Sequence, residues 1–266
     1  MVSYSNIVAM IISAFVSLAF PLFLGFLLIK KHRYVSLAFV VGGLSFFVFQ
    51  VLIRLPILQS SVVSVFLTGL PNMLTLFLLA LTASLFETTG RVVFIKFFMK
   101  KNQDFNTGLA HGIGHGGVEA FILLVLTYIT YVVYAIMINN GGFQDLINNS
   151  DIVTQGQLRQ VQDLLVETRT YIFLIAGAER VMVIILHICL SVITMYGLVS
   201  GKKIYLVYVL LIHFTVDFLV VLIANQIGNI IWAEIFLLFI ALISLYIIRV
   251  FKLKFSFLNK EKQILQ

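Results

Sequence analysis

The chain has 266 residues, is 61% hydrophobic and only 11% charged, and carries a formal net charge of +7. A mean hydropathy of +1.08 excludes an ordinary soluble domain. The basic residues cluster at the ends of apolar runs, which argues against a nucleic-acid partner and for a polytopic membrane protein in contact with lipid. The one cysteine, Cys189, lies within an apolar run and cannot form an intrachain disulfide.

About 20 apolar residues suffice for a helix to cross the hydrocarbon core of a bilayer. Seven such spans are expected in chain order. The first covers about 6–29, with no basic residue ahead of it and no small-residue cleavage site after it, so it reads as a retained helix and not a signal peptide. Lys30, Lys31, His32 and Arg33 stop it. The second covers about 34–53, after which Arg54, Pro56, Ser60 and Ser61 break the pattern. The stretch 62–70 is too short to span and reads as a re-entrant or interfacial piece. The third span covers about 71–98 and ends at Lys100 and Lys101; the fourth covers about 108–138. A polar loop, 139–168, follows. The fifth span, 171–199, is stopped by Lys202 and Lys203. The sixth covers 204–224, and the seventh, 230–250, leads into a basic tail over 251–266. The fold expected is all-α: one integral membrane domain over 1–266, a polytopic helical bundle.

Lysine and arginine follow spans one, three and five and fill the tail. The 139–168 loop instead carries Asp145, Asp151, Asp163 and Glu167 against Arg159. The positive-inside rule therefore puts the N-terminus outside and the C-terminus in the cytoplasm of a cell membrane. An amphipathic stretch near Leu158, Val161, Leu164 and Leu165 reads either as a surface helix on the outer leaflet or as a solvated connector.

Ionisable residues inside the spans carry the chemistry. On insertion scales a charge at mid-membrane costs at least about 2.5–3.5 kcal/mol, so such residues face a protein interior and serve a purpose there. Glu87 with Arg91, His115 with Glu119, and His213 with Asp217 are each four apart, which places both members of a pair on one helix face. Glu179 and Arg180 precede His187 in the fifth span. At 1.5 Å rise per residue, Glu87, His115, Glu119, His187, His213 and Asp217 all fall roughly 10–20 Å from the basic ends of their spans. Four helices thus aim carboxylates and imidazoles into one slab. The alternative for each pair is structural. Glu87 with Arg91 reads as a self-neutralising ion pair, Glu119, Glu179 and Arg180 as one anchor, and Asp217 as no more than the group that orients His213. The glycines of Gly112-Ile113-Gly114-His115-Gly116-Gly117 allow close helix approach and leave room beside His115. His111 reads as structural, Glu234 as structural or interfacial, and Arg54 as a snorkelling residue. No H-E-x-x-H motif, cysteine cluster, phosphate-binding loop or Gly-x-Ser-x-Gly elbow is present in the sequence.

Taken together, Phe86-Glu87-Thr88-Thr89-Gly90-Arg91, Gly114-His115-Gly116-Gly117-Val118-Glu119-Ala120, Glu179-Arg180 followed by His187, and His213-Phe214-Thr215-Val216-Asp217 resemble the YhfC family of predicted intramembrane endopeptidases. That family is distantly similar to the CAAX-protease and bacteriocin-processing enzymes and to the PrsW membrane proteases. The resemblance implies a bacterial membrane enzyme acting on a peptide or protein. It implies catalytic roles for Glu87, His115, His187 and His213, with Asp217 in support; the residues themselves add Arg91 as counter-ion and Glu119, Glu179 and Arg180 as further supporting groups. It also implies zinc or another divalent metal on His115, His187 and His213, or a metal-free glutamate mechanism; the two stay open at this level. The relatives usually show two adjacent glutamates, whereas Thr88 follows Glu87 here, so Glu119 or Glu179 would supply any second carboxylate. Two rival classes share the buried polar cluster: a proton- or cation-coupled transporter, and a non-catalytic scaffold or immunity-type membrane protein. A transporter is expected to show internal repeats, and none is visible in the sequence.

Overall fold

In the computed structural model, residues 1–264 are described, with side chains for all of these except Ile227 and residues 259–264; the end of the basic tail expected over 251–266 lies outside the described side chains. All regular structure among these residues is helical. Seven helices are long and apolar enough to cross a membrane, and the chain is an all-α, multi-pass membrane protein.

The spans are α1 (Tyr4–Lys31), α2 (Arg33–Gln59), α4 (Asn72–Phe98), α5 (Phe105–Asn139), α8 (Thr170–Val199), α9 (Ile204–Ile227) and α10 (Ile230–Ile264). Between them lie α3 (Ser61–Thr68), α6 (Gly142–Asn148) and α7 (Ile152–Glu167). The eight residues of α3 are too few to cross. Helix α2 ends in an eight-residue π-helical stretch, Phe47–Arg54, continued by the short turn Leu55–Gln59. Pro56 sits in the first turn of that last piece, where its missing N–H is harmless.

The chain divides into two compact units, one of Met1–Phe20 with Ala120–Val181 and the other of Pro21–Glu119 with Met182–Gln266. In the larger unit α8 is the inner helix, buried without interruption from Leu186 to Gly197. A helix apolar all round is stable only when enclosed. Leu190, Val192 and Met195, all fully buried, pack with Val35, Val41, Phe94, Ile95, Val209 and Val216 from its neighbours. Two glycines of α5 let its backbone approach the helices on either side. A Cβ at Gly114 would collide with the Phe39 carbonyl oxygen of α2, and one at Gly112 with the Ile188 backbone of α8. These contacts set the height of His115, which directly follows Gly114 in sequence. On the outer side of α10, Trp232, Ile235, Leu238, Phe239 and Leu242 are exposed, as a lipid-facing surface requires.

The smaller unit has its own core, in which Val2, Ala9 and Met10 pack with Leu124, Tyr128, Leu165 and Phe173. Asn139 clamps the chain start, donating to the Val2 carbonyl at 2.9 Å and accepting from the Val2 amide at 2.8 Å. Asp151 caps α7 by accepting from the amides of Val153 and Thr154 at 3.0 and 3.1 Å. In the stretch expected to be a surface helix or connector, Leu158 and Leu165 are buried within this unit, and Leu164 is exposed. Those two leucines pack against protein and so are not the lipid-facing edge of α7.

Candidate active site

The ionisable cluster lies entirely within the larger unit and is built from five helices. Glu87 of α4 is its hub and is 4% exposed. Its Oε2 lies 3.0 Å from His115 Nε2 of α5, 3.8 Å from His187 Nδ1 of α8 and 3.6 Å from His213 Nε2 of α9. One turn along α4, Arg91 donates from Nη2 to the same oxygen at 3.2 Å. The same Nη2 is 2.5 Å from His187 Nδ1, where it is the donor. On the far side of that ring, His187 Nε2 is 2.5 Å from Glu119 Oε2 of α5. His213 Nε2 also faces Asp217 Oδ2, one turn along α9, at 3.4 Å. The rings of His115 and His187 lie with centroids 5.1 Å apart, and those of His187 and His213 5.4 Å apart.

The expected convergence of α4, α5, α8 and α9 is therefore present, and two of the three spaced pairs make direct contact. The third does not pair internally: His115 turns to Glu87 and Glu119 turns to His187. His111, one turn before His115, places Nδ1 3.2 Å from the Ser191 hydroxyl and stacks near His115, with no contact to a carboxylate among the described residues. Glu179 and Arg180 belong to the smaller unit, where they form an ion pair with each other. The Arg54 guanidinium donates to the Leu79 carbonyl at 2.7 Å, to Thr82 Oγ1 at 3.2 Å and to Gln50 Oε1 at 3.2 Å.

Two contributors from α2 escaped the reading of the sequence. Gln50 donates to Glu87 Oε1 at 2.5 Å, and Ser45 Oγ lies 2.9 Å from His115 Nδ1. The π-helical turn, with its i→i+5 bonding, brings residues four and five apart onto one face, so Ser45, Gln50 and Arg54 line the same side. The available signal was the spacing of Gln50 and Arg54 inside an apolar run.

Four of these side chains, Glu87, His115, Glu119 and His187, offer one ligand atom each within 4.8 Å of one another, all buried. Zinc bonds of about 2.0–2.2 Å hold ligand atoms at most about 4.4 Å apart, so the set needs only slight contraction. Two imidazoles and two carboxylates are a donor set that suits zinc and similar divalent ions.

A family model described as YhfC intramembrane metalloprotease matches residues 16–237. The chain is also 33% identical over 219 residues to a protein of Bacillus subtilis (strain 168) named "Uncharacterized membrane protein YhfC", covering 80% of this chain and 83% of that protein. No solved structure matches the chain. With the match spanning every residue of the buried cluster, the chain belongs to the YhfC intramembrane metalloprotease family.

Proposed function

We propose that this protein is an endopeptidase that hydrolyses a peptide bond within or beside the membrane, with Glu87 as general base. The observation that carries this reading is the position of Glu87 Oε2 among three imidazoles and a guanidinium in a buried site. Gln50 holds the other carboxylate oxygen, so Oε2 is the one turned to the reacting centre. Glu87 takes a proton from the attacking water. Arg91 is fully buried, and its Nε and Nη1 have no acceptor among the described residues. These N–H groups are suited to the oxyanion that develops on the scissile carbonyl. His213 Nε2, which faces both Glu87 and Asp217, passes a proton between Glu87 and the leaving amine in this scheme.

His115, His187 and Glu119 would hold zinc or another divalent metal and leave Glu87 as base; the ion, when bound, supplies Lewis-acid polarisation of the peptide carbonyl. His213, expected as a third imidazole ligand, takes the proton-relay role in this scheme because it stands outside the compact four-donor set.

N-terminal profiling of membrane proteins from cells carrying wild type or Glu87→Gln tests the activity. Cleavages present with wild type should vanish with Glu87→Gln, His115→Ala and His213→Ala while each variant stays in the membrane at near-normal level. Unchanged profiles for all three would refute the reading. Retained cleavage by Glu87→Gln alone would move the base to Glu119.

We also place the N-terminus and the 139–168 loop outside and the C-terminus in the cytoplasm of the cell membrane, on the one-sided distribution of lysine and arginine. The single cysteine, Cys189, is buried, so a Cys189→Ala background gives clean labelling. Gln157→Cys should react with an impermeant maleimide in intact cells; reaction only after permeabilisation overturns the orientation.

A further inference from the structure

We propose that Ser45 is a positioning residue that presents the Nε2 lone pair of His115 to the metal by letting its ring change tautomer. The inference rests on the metal reading above. Ser45 is fully buried in α2, and its Oγ has two neighbours: His115 Nδ1 at 2.9 Å and the Gly42 carbonyl oxygen, one turn back on the same helix, at 2.7 Å. A hydroxyl has one hydrogen to give and two lone pairs to accept with. Ser45 therefore has two satisfied states. In one its hydrogen goes to His115 Nδ1, and the ring carries its own hydrogen on Nε2. In the other its hydrogen goes to Gly42, and Oγ accepts from an Nδ1–H of the ring.

The far side of the ring decides between them. His115 Nε2 is 3.0 Å from Glu87 Oε2, and a carboxylate oxygen only accepts. Without a metal, an Nε2–H bonded to Glu87 is favoured, because a bare Nε2 would face the carboxylate acceptor to acceptor. With a divalent ion in the cluster the bare Nε2 is the ligand, the hydrogen must sit on Nδ1, and that Nδ1–H needs an acceptor in a buried, apolar place. Ser45 supplies it without moving a heavy atom, because the Gly42 carbonyl takes the hydroxyl hydrogen. Phe46, next to Ser45 on α2, also packs against the His115 ring, with centroids 5.4 Å apart.

His187 shows the contrast. Its Nδ1 accepts from Arg91, which has no lone pair to offer in return. That bond keeps the hydrogen of His187 on Nε2, facing Glu119, so loading a metal there has to displace a proton. His115 reaches its ligating form by a tautomer change alone.

The test uses full-length protein, labelled with 15N-histidine, in lipid nanodiscs, stripped of metal and then titrated with zinc against a competing chelator. The His115 signals are identified by their loss in His115→Gln. In wild type, His115 should carry its hydrogen on Nε2 without metal and on Nδ1 with zinc. Ser45→Ala should weaken zinc binding by about 10–100-fold, as removal of a partner that orients a ligand does, with the metal-free protein still folded and unfolding cooperatively. Equal zinc affinity in Ser45→Ala and wild type overturns the inference, as does a zinc-loaded wild type that keeps Nε2–H on His115. Should Ser45→Ala fail to fold, the wild-type tautomers decide alone. Wild type that binds no zinc overturns the metal reading itself, and this inference with it.

Discussion

Arg91 is the residue whose removal should do most damage to the folded state. It is fully buried, and one nitrogen, Nη2, serves both Glu87 and His187. Arg91→Met keeps the aliphatic stem and removes the charge, so that Glu87, 4% exposed, loses the guanidinium 3.2 Å from its Oε2. Breaking a buried ion pair by deleting one partner costs about 3–5 kcal/mol, mostly the penalty of the stranded charge. For a chain of this size 1 kcal/mol moves the unfolding temperature by about 2–4 °C, so a drop of roughly 6–20 °C is expected. The double variant Arg91→Met/Glu87→Gln removes both charges and should recover a good part of that loss, since an uncharged replacement of a buried pair is often close to neutral. Thermal unfolding of metal-stripped protein in detergent, for wild type, both single variants and the double, measures the coupling directly. Arg91→Met within about 2 °C of wild type would refute the reasoning, because Glu87 would then have to be hydrated in a water-filled chamber.

Gln50→Leu removes the Gln50 bond to Glu87 Oε1, and should lower the cleavage rate by about 10-fold or more while the protein accumulates normally; an unchanged rate would show that Oε2 needs no such restraint. Gly114→Val should abolish folding in the membrane, because even a Cβ there meets the Phe39 carbonyl, whereas Gly156→Val, with nothing within 4 Å of the added carbon, should be tolerated; expression and gel filtration distinguish them. Asp151, the cap of α7, has its carboxyl held below the usual range, first by the Thr154 hydroxyl and then by the Thr154 amide. A depressed acid contributes stability above its unfolded value of about 3.9 and loses it as pH falls through the lower folded value. Hydrogen-exchange protection of the first turn of α7 should thus hold down to about pH 4 and fall below it, and Asp151→Ala should show low protection throughout.

The number and length of the spans, and the presence of a polar centre, were legible in the sequence because the bilayer imposes them: an apolar run of the right length admits few structures, and an ionisable residue within it has to be enclosed. Spacing along one helix likewise foretold the contacts of Glu87 with Arg91 and of His213 with Asp217. Spacing could not foretell which partners are chosen across helices. His115 and Glu119 share a face, yet each bonds to a different neighbouring helix, His115 to Glu87 of α4 and Glu119 to His187 of α8, with α2 and α8 held close to this stretch at Gly114 and Gly112. Ser45 and Gln50 stayed hidden for a related reason. A neutral hydroxyl or amide costs little in an apolar helix, so it sends no signal until the fold sets it against a carboxylate or an imidazole. The charges announced that a site exists; the register of α2, α5 and α8, fixed by backbone contact at glycine, decided which atoms meet in it.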